Sequence, residues 1–254
     1  MSDKVQDFQD EEYCFPYHYV SEMPRKGGFV QHFVDTWGMN YISTIEYVLE
    51  RLQEVDSSSI VDVGCGDGRL AREMALNFPD KYIAGIDYSS RAIALARAMN
   101  QDLKGVVFHS LDITSESHER KYDVAVLMEV FEHIPPEDSA RFLEGLCSLL
   151  TPDGILLLTV PHSNKPVEYK HYRHFSCDCI SEIFSKHFDV IEVRPFERSG
   201  LIRKFLEVIL CNRFFVLNNR RLSGFIYKIQ KKYLFECDEK RCQRIFVKAR
   251  LKSL

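Results

Sequence analysis

The stretch Ile60-Val61-Asp62-Val63-Gly64-Cys65-Gly66-Asp67-Gly68-Arg69-Leu70-Ala71 decides how this chain folds. An apolar strand runs into a loop with glycine at every second position, and a helical pattern follows. Gly64, Gly66 and Gly68 remove side chains where a backbone must turn tightly and lie against a ligand. The helix after the loop aims its N-terminus, with its partial positive charge, at the same place. The spacing is G-x-G-x-G. It is neither the G-x-G-x-x-G of dinucleotide binders nor a P-loop with its lysine.

Working outward, strand and helix patterns alternate. Residues 59–64, 82–87, 106–112, 122–130, 154–161 and 188–195 read as strands. Helical patterns cover 41–54, 68–78, 91–101, 137–150 and 178–187. Strands this apolar, separated by helices, indicate an α/β fold with a parallel sheet covered on both faces. A seventh strand, 244–251, follows an unusually long connection over about 197–243.

The chain has 254 residues, 45% of them hydrophobic, which suits one large domain with appendages. Residues 1–40 read as an aromatic arm or lid, carrying Phe8, Tyr13, Phe15, Tyr17, Tyr19, Phe29, Phe33 and Trp37 among Pro16, Pro24 and Gly27-Gly28. Residues 41–254 form the domain. The long connection reads as two amphipathic helices. Leu201, Ile202, Phe205, Leu206, Ile209 and Leu210 make one apolar arc, with Arg203, Lys204 and Glu207 off it. Leu222, Phe225, Ile226, Ile229 and Tyr233 make the second.

No apolar run approaches the roughly 18–20 residues of a membrane span. The acidic, polar start does not read as a signal peptide. Eight cysteines lack a two-knuckle zinc pattern, so reduced thiols and a cytoplasmic location are expected. The net charge of −4 hides an asymmetry. Residues 198–254 hold fifteen Lys/Arg against four Asp/Glu, a balance of +11, which leaves −15 for residues 1–197. Such a basic segment favours an anionic surface such as a membrane face, nucleic acid or an acidic protein face. A substrate cap, a homodimer face or a simply solvated helical face are the other readings. The acidic remainder argues against a broad nucleic-acid track.

Doubly wound sheets bind ligands at the carboxyl ends of their strands, and four strand ends here carry acids. Asp62 lies in the strand of the glycine loop, Asp87 ends the second strand, Asp112 ends the third, and Glu129 and Glu132 follow the fourth. An acid at the second strand end can accept both hydroxyls of a ribose, and one at the third can accept from an adenine amine. Each Asp alone can also be a helix cap. The set together is harder to explain that way.

Val61-Asp62-Val63-Gly64-Cys65-Gly66-Asp67-Gly68, Gly85-Ile86-Asp87, Leu111-Asp112, Tyr122-Asp123-Val124 and Leu150-Thr151-Pro152-Asp153-Gly154-Ile155-Leu156 occur in this order. In these motifs the chain resembles the class I S-adenosylmethionine-dependent methyltransferases. The resemblance runs from about residue 40 to 195. It implies a Rossmann-like sheet of seven strands with the last reversed. It implies that Asp62, Gly64, Cys65, Gly66 and Gly68 build the loop beneath the methionine part of S-adenosylmethionine, and that Asp87 holds the ribose. It also implies that Tyr88 flanks the adenine, that Asp112 reads its amine, and that Ile113 and Met128 complete the cofactor site.

Glu129-Val130-Phe131-Glu132-His133 brings two carboxylates and an imidazole to the mouth of the fourth strand. Carboxylates suit Mg²⁺ or Mn²⁺, and an imidazole shifts the preference toward Mn²⁺, Fe²⁺ or Zn²⁺. The segment resembles the metal site of ubiquinone-pathway and small-RNA 2′-O-methyltransferases. That resemblance implies a metal set of Glu129, Glu132 and His133 with His171 or His174. The residues themselves leave a metal-free site open, with His133, His162 or His174 as the base. Either way, a His-rich, acidic mouth favours O-methylation of a hydroxyl on a small molecule, sugar or glycan. A 2′-O-methyltransferase of RNA and a non-catalytic, cofactor-binding regulator are the alternatives.

Overall fold

The computed structural model describes residues 37–210, 214–215 and 219–253. Seven strands among them form one sheet: β1 (Ser59–Val63), β2 (Tyr82–Asp87), β3 (Val106–Ser110), β4 (Tyr122–Met128), β5 (Leu150–Pro161), β6 (Phe188–Arg198) and β7 (Cys242–Leu251). The helices are α1 (Trp37–Gln53), α2 (Arg69–Asn77), α3 (Ser90–Met99), α4 (Ser139–Ser148), α5 (Cys177–Ser185), α6 (Leu201–Leu210) and α7 (Arg220–Tyr233). The strand order is β3-β2-β1-β4-β5-β7-β6. β7 runs antiparallel to β5 and β6, and the other pairings are parallel. This is the doubly wound, Rossmann-like methyltransferase sheet with its reversed last strand.

Alternation of side chains along each strand explains why the strands read as unbroken apolar runs. In β1, Val61 and Val63 join a core with Ile86, Leu127, Phe131, Phe142, Phe175 and Phe184. Ile60 faces the other side, with Ile83, Val124, Leu157, Leu52, Met74 and Ile93. Each face is roofed by helices. The chain leaves β1 for β2 on one side and places β4 on the other. A crevice therefore opens at the carboxyl ends of these strands, where the order reverses.

α1 begins four residues before the expected start, so Trp37 to Asn40 belong to a helix rather than to an arm. The rest of the expected arm, with aromatics Phe8 to Phe33, lies outside the described residues. The Thr151-Pro152-Asp153-Gly154 turn lies inside β5. Tyr122 pairs with Leu150 and Val124 with Ile155, so the four residues bulge out, with Asp153 at φ 62.

The two helices between β6 and β7 are present, but their faces need correction. On α6, Leu201, Ile202 and Phe205 are 85%, 62% and 66% exposed, whereas Arg203 is buried. Arg203 faces inward because it pairs with the buried Glu197 and donates to the Arg198 carbonyl at 3.3 Å. On α7, Leu222, Phe225 and Tyr233 are exposed, and the inward residues are Ile226 and Gln230. Gln230 donates to Asn40 Oδ1 of α1 at 2.6 Å, and Lys231 bridges Glu46 and Glu50 of α1. The six cysteines among the described residues are free thiols. No described helix is long and apolar enough to cross a membrane.

Candidate active site

A cleft of about 450 Å³ opens at the sheet's switch point, a volume suited to a nucleoside-sized ligand. Gly64, Asp87, Tyr88, Asp112, Ile113, Glu129 and His133 line it, with an apolar wall that includes Val130, Ile134, Pro135 and Phe142. The glycine loop is tied to β2: the N–H groups of Gly64 and Cys65 both donate to the Ile86 carbonyl, at 2.7 and 3.0 Å. Gly64 sits at φ 73, and a Cβ there would lie 2.6 Å from the Val130 side chain, so only glycine fits. The Gly66 N–H donates to Asp87 Oδ2 at 3.0 Å, and the Ser89 N–H donates to Oδ1 at 2.9 Å. The acid at the end of β2 is thus oriented by the loop itself.

Other predicted cofactor residues stand behind this surface. Asp62 is buried; burial, and then the nearby Asp87, push its pKa up to about 8, and its Oδ2 has no hydrogen-bond partner. Cys65 is buried beside Gly85, and Gly68 packs on Asn100 and Phe108. Met128 packs into the core on the α1–α3 side and is not part of the cleft wall. Asp112 is in the cleft wall but also caps its own turn. It accepts from Thr114 N–H and Oγ1 at 2.9 and 2.7 Å and from Ser115 Oγ at 3.0 Å. Partial burial opposes its charge, yet these hydrogen bonds outweigh it and hold the carboxyl below its ordinary range.

These features fit S-adenosylmethionine. An orphaned oxygen on a buried carboxyl just before the glycine loop suits a cationic ligand end, which would favour its ionised form, and acids at the ends of β2 and β3 suit hydroxyl and amine donors.

Glu132 and His133 of the second constellation sit on one 3-10 turn, Phe131–His133, two residues after β4. His133 Nδ1 lies 2.9 Å from the Lys170 carbonyl. A carbonyl only accepts, so the proton is on Nδ1 and the lone pair on Nε2. His174 Nδ1 lies 2.9 Å from the Lys165 carbonyl, by the same logic leaving Nε2 as an acceptor. His171 Nδ1, 2.7 Å away, donates to that Nε2 and keeps its own lone pair on Nε2. Burial, with His133 second, lowers the His171 pKa to about 3, and burial also lowers that of His174, so both are neutral near pH 7. Glu132 is fully buried, and neither of its carboxylate oxygens has a hydrogen-bond partner. Burial, then Glu129, push its pKa well above the usual range. One donor atom each from Glu132, His133 and His171 lie within 4.8 Å of one another.

Two expected site residues stand apart from that donor set. Glu129, at φ 58, lines the cleft, accepts from Thr159 Oγ1 at 3.0 Å and Arg244 Nε at 2.9 Å, and is not in the close group of Glu132, His133 and His171. His162 accepts the Asn164 N–H on Nδ1 at 2.9 Å and turns Nε2 to Glu239 at 3.2 Å. Both its nitrogens are engaged, outside the cleft wall. Sequence reasoning missed Arg244, Glu197 and Arg203, a buried chain of ion pairs ending on Glu129. Arg203, beside Lys204 in the otherwise largely apolar segment Leu201–Leu210, was the available signal.

Residues 32–193 match the family model described as a methyltransferase domain. The malonyl-(acyl-carrier protein) O-methyltransferase of Bacillus cereus is 32% identical over 117 residues, 46% of this chain and 42% of that protein. The ubiquinone biosynthesis O-methyltransferase of Hydrogenovibrio crunogenus is 29% identical over 131 residues, 50% of this chain and 51% of that protein. The chain spans about half the length of the curated relatives it matches. The N-methyltransferase NodS of Bradyrhizobium japonicum, solved with S-adenosyl-L-homocysteine, superposes with a TM-score of 0.63 at 13% identity. That alignment covers 99% of this chain and 100% of NodS, and it speaks for the fold alone. A family match over more than half of the chain, falling on the strands and loops that build the cleft, makes this protein a class I S-adenosylmethionine-dependent methyltransferase.

Proposed function

We propose that this methyltransferase acts on a hydroxyl of a small molecule, sugar or glycan, and that the hydroxyl enters beside Glu132, His133 and His171. The observation that carries this reading is the donor set itself. One donor atom from each of two imidazoles and one from a buried carboxylate with no partner lie within 4.8 Å of one another, and His133 lines the cleft. A buried carboxylate is costly unless it is paired, protonated or bound to a cation. Glu132, His133 and His171 would hold a divalent ion of the Mn²⁺, Fe²⁺ or Zn²⁺ type, which supplies Lewis acidity that lowers a hydroxyl's pKa. The Lys170 carbonyl and His174 orient the two imidazoles from behind.

S-adenosylmethionine supplies an electrophilic methyl group when bound. The protein's part is alignment and exclusion of water: Asp87 and the glycine loop fix one partner, and the wall of Val130, Ile134, Pro135 and Phe142 keeps the contact dry. A second reading has its own support. With Glu129 held by Arg244, the set lacks one expected ligand, and a protonated Glu132 needs no cation. His133, with its lone pair on Nε2, is then the general base.

Titration of the purified protein with Mn²⁺, followed by electron paramagnetic resonance, separates the two. The first reading expects one bound ion, lost in Glu132→Gln with binding of S-adenosylhomocysteine unchanged. It also expects chelator-sensitive methylation within a panel of hydroxylated acceptors. No bound ion, with chelator-insensitive turnover that falls about 100-fold or more in His133→Ala, establishes the second. Methylation of amines but not hydroxyls in such a panel overturns both.

A further inference from the structure

We propose that α6 and α7 dock the protein on the surface of an anionic lipid bilayer. The inference is independent of which acceptor is methylated. It rests on the orientation of α6. This helix turns Arg203, paired to Glu197, and Leu210 inward, and turns Leu201, Ile202 and Phe205 to solvent. An exposed apolar arc on a rigid element marks a contact surface. α7 packs beside α6 and exposes apolar side chains of its own, Leu222, Phe225 and Tyr233.

Charge identifies the occupant. Arg221, Lys228 and Lys232 are exposed and stand at i, i+7 and i+11, one helical row beside Phe225. α7 contains no acidic residue. The face is therefore an apolar stripe edged by cations, within a segment whose balance is +11. Lysine and arginine stems can follow apolar side chains into an interface while their heads remain with lipid phosphates. Ten and fourteen residues of helix reach about 15 and 21 Å, short of a bilayer core of about 30 Å, so these helices lie on the membrane rather than across it. RNA would use the cations but give Leu201 and Ile202 nothing to bury against. A second copy would bring the same basic row into a shared interface, at a repulsive cost.

Sedimentation of the full chain with phosphatidylcholine vesicles, with and without phosphatidylglycerol, tests the proposal. The protein is expected to pellet only with the anionic vesicles and to be released by salt. Ile202→Ser/Phe205→Ser should weaken binding at every salt concentration. Each neutralised charge, as in Lys228→Gln and Lys232→Gln, should cost about fivefold. All of these variants should bind S-adenosylhomocysteine as the parent does, which shows that they are folded. A protein that stays in solution with anionic vesicles overturns the proposal. So does a concentration-dependent dimer that Phe205→Ser dissociates, or salt-sensitive RNA binding in the absence of vesicle binding.

Discussion

Asp62, in β1 just before the glycine loop, buries its carboxyl, and one oxygen is without a hydrogen-bond partner. Its ordinary value is 3.8, and in the fold, burial and then Asp87 raise it to about 8. Between those values the folded protein keeps a proton that the unfolded chain has released. This contribution to stability is complete below about pH 4 and is lost as the pH rises through about 8. His171 has the opposite sign: its pKa, lowered to about 3, makes stability rise with pH up to its ordinary value of 6.5. Comparing the cofactor-free parent with Asp62→Asn isolates the first effect. The variant should gain melting temperature over the parent progressively between about pH 5 and pH 8. An equal difference at both ends of that range would show that Asp62 is ionised throughout.

At the scale of elements, α4 packs closely on the loop after β3, which lines the cleft. A Cβ on Gly145 would lie 1.9 Å from the Ile113 carbonyl oxygen, a backbone atom with nowhere to go. Gly145→Ala must push α4 away from the Asp112–Ile113 segment, at a cost of about 1–3 kcal/mol. Urea denaturation should show this loss, and calorimetry should show weakened S-adenosylhomocysteine binding, because Ile113 and Asp112 line the cleft. The element pattern around the cleft was legible in the sequence because β1, β2 and β4 are covered on both faces. Their apolar runs, broken by glycine and acid, have few other readings. α6 and α7 were legible as helices but not in orientation. Periodicity shows that a helix has an apolar face, not which side the rest of the protein occupies. Arg203 decided that question through Glu197, a partner six residues back in the chain.

Across the whole molecule, Arg203, Glu197, Arg244 and Glu129 form a buried line of alternating charges from α6 to the cleft. Burial works against the charge on Arg244, but Glu129 and Glu197 more than offset this and raise its pKa. Arg244→Leu leaves the Glu197 carboxylate short of a partner and should cost about 3–5 kcal/mol in chemical denaturation. Adding Glu197→Gln should recover part of that loss; a fully additive double variant would show that the two side chains do not act as a pair. This line was not legible beforehand, since Arg244 and Glu129 are 115 residues apart. The cofactor side was legible because its glycines and acids are read locally, each at its own strand end. The Glu132 and His171 juxtaposition needed the fold. The reversed strand β7 carries a further consequence, for biosynthesis. β6 pairs with β7 alone, and β5 faces β7 along its outer edge. On the ribosome, β6 and the helices after it are therefore made with no place in the sheet, and two strand edges stay open until residues 242–251 emerge. The strand that emerges after those helices bolts the sheet together, and any stall before it leaves the nascent chain with bare edges for other chains to join.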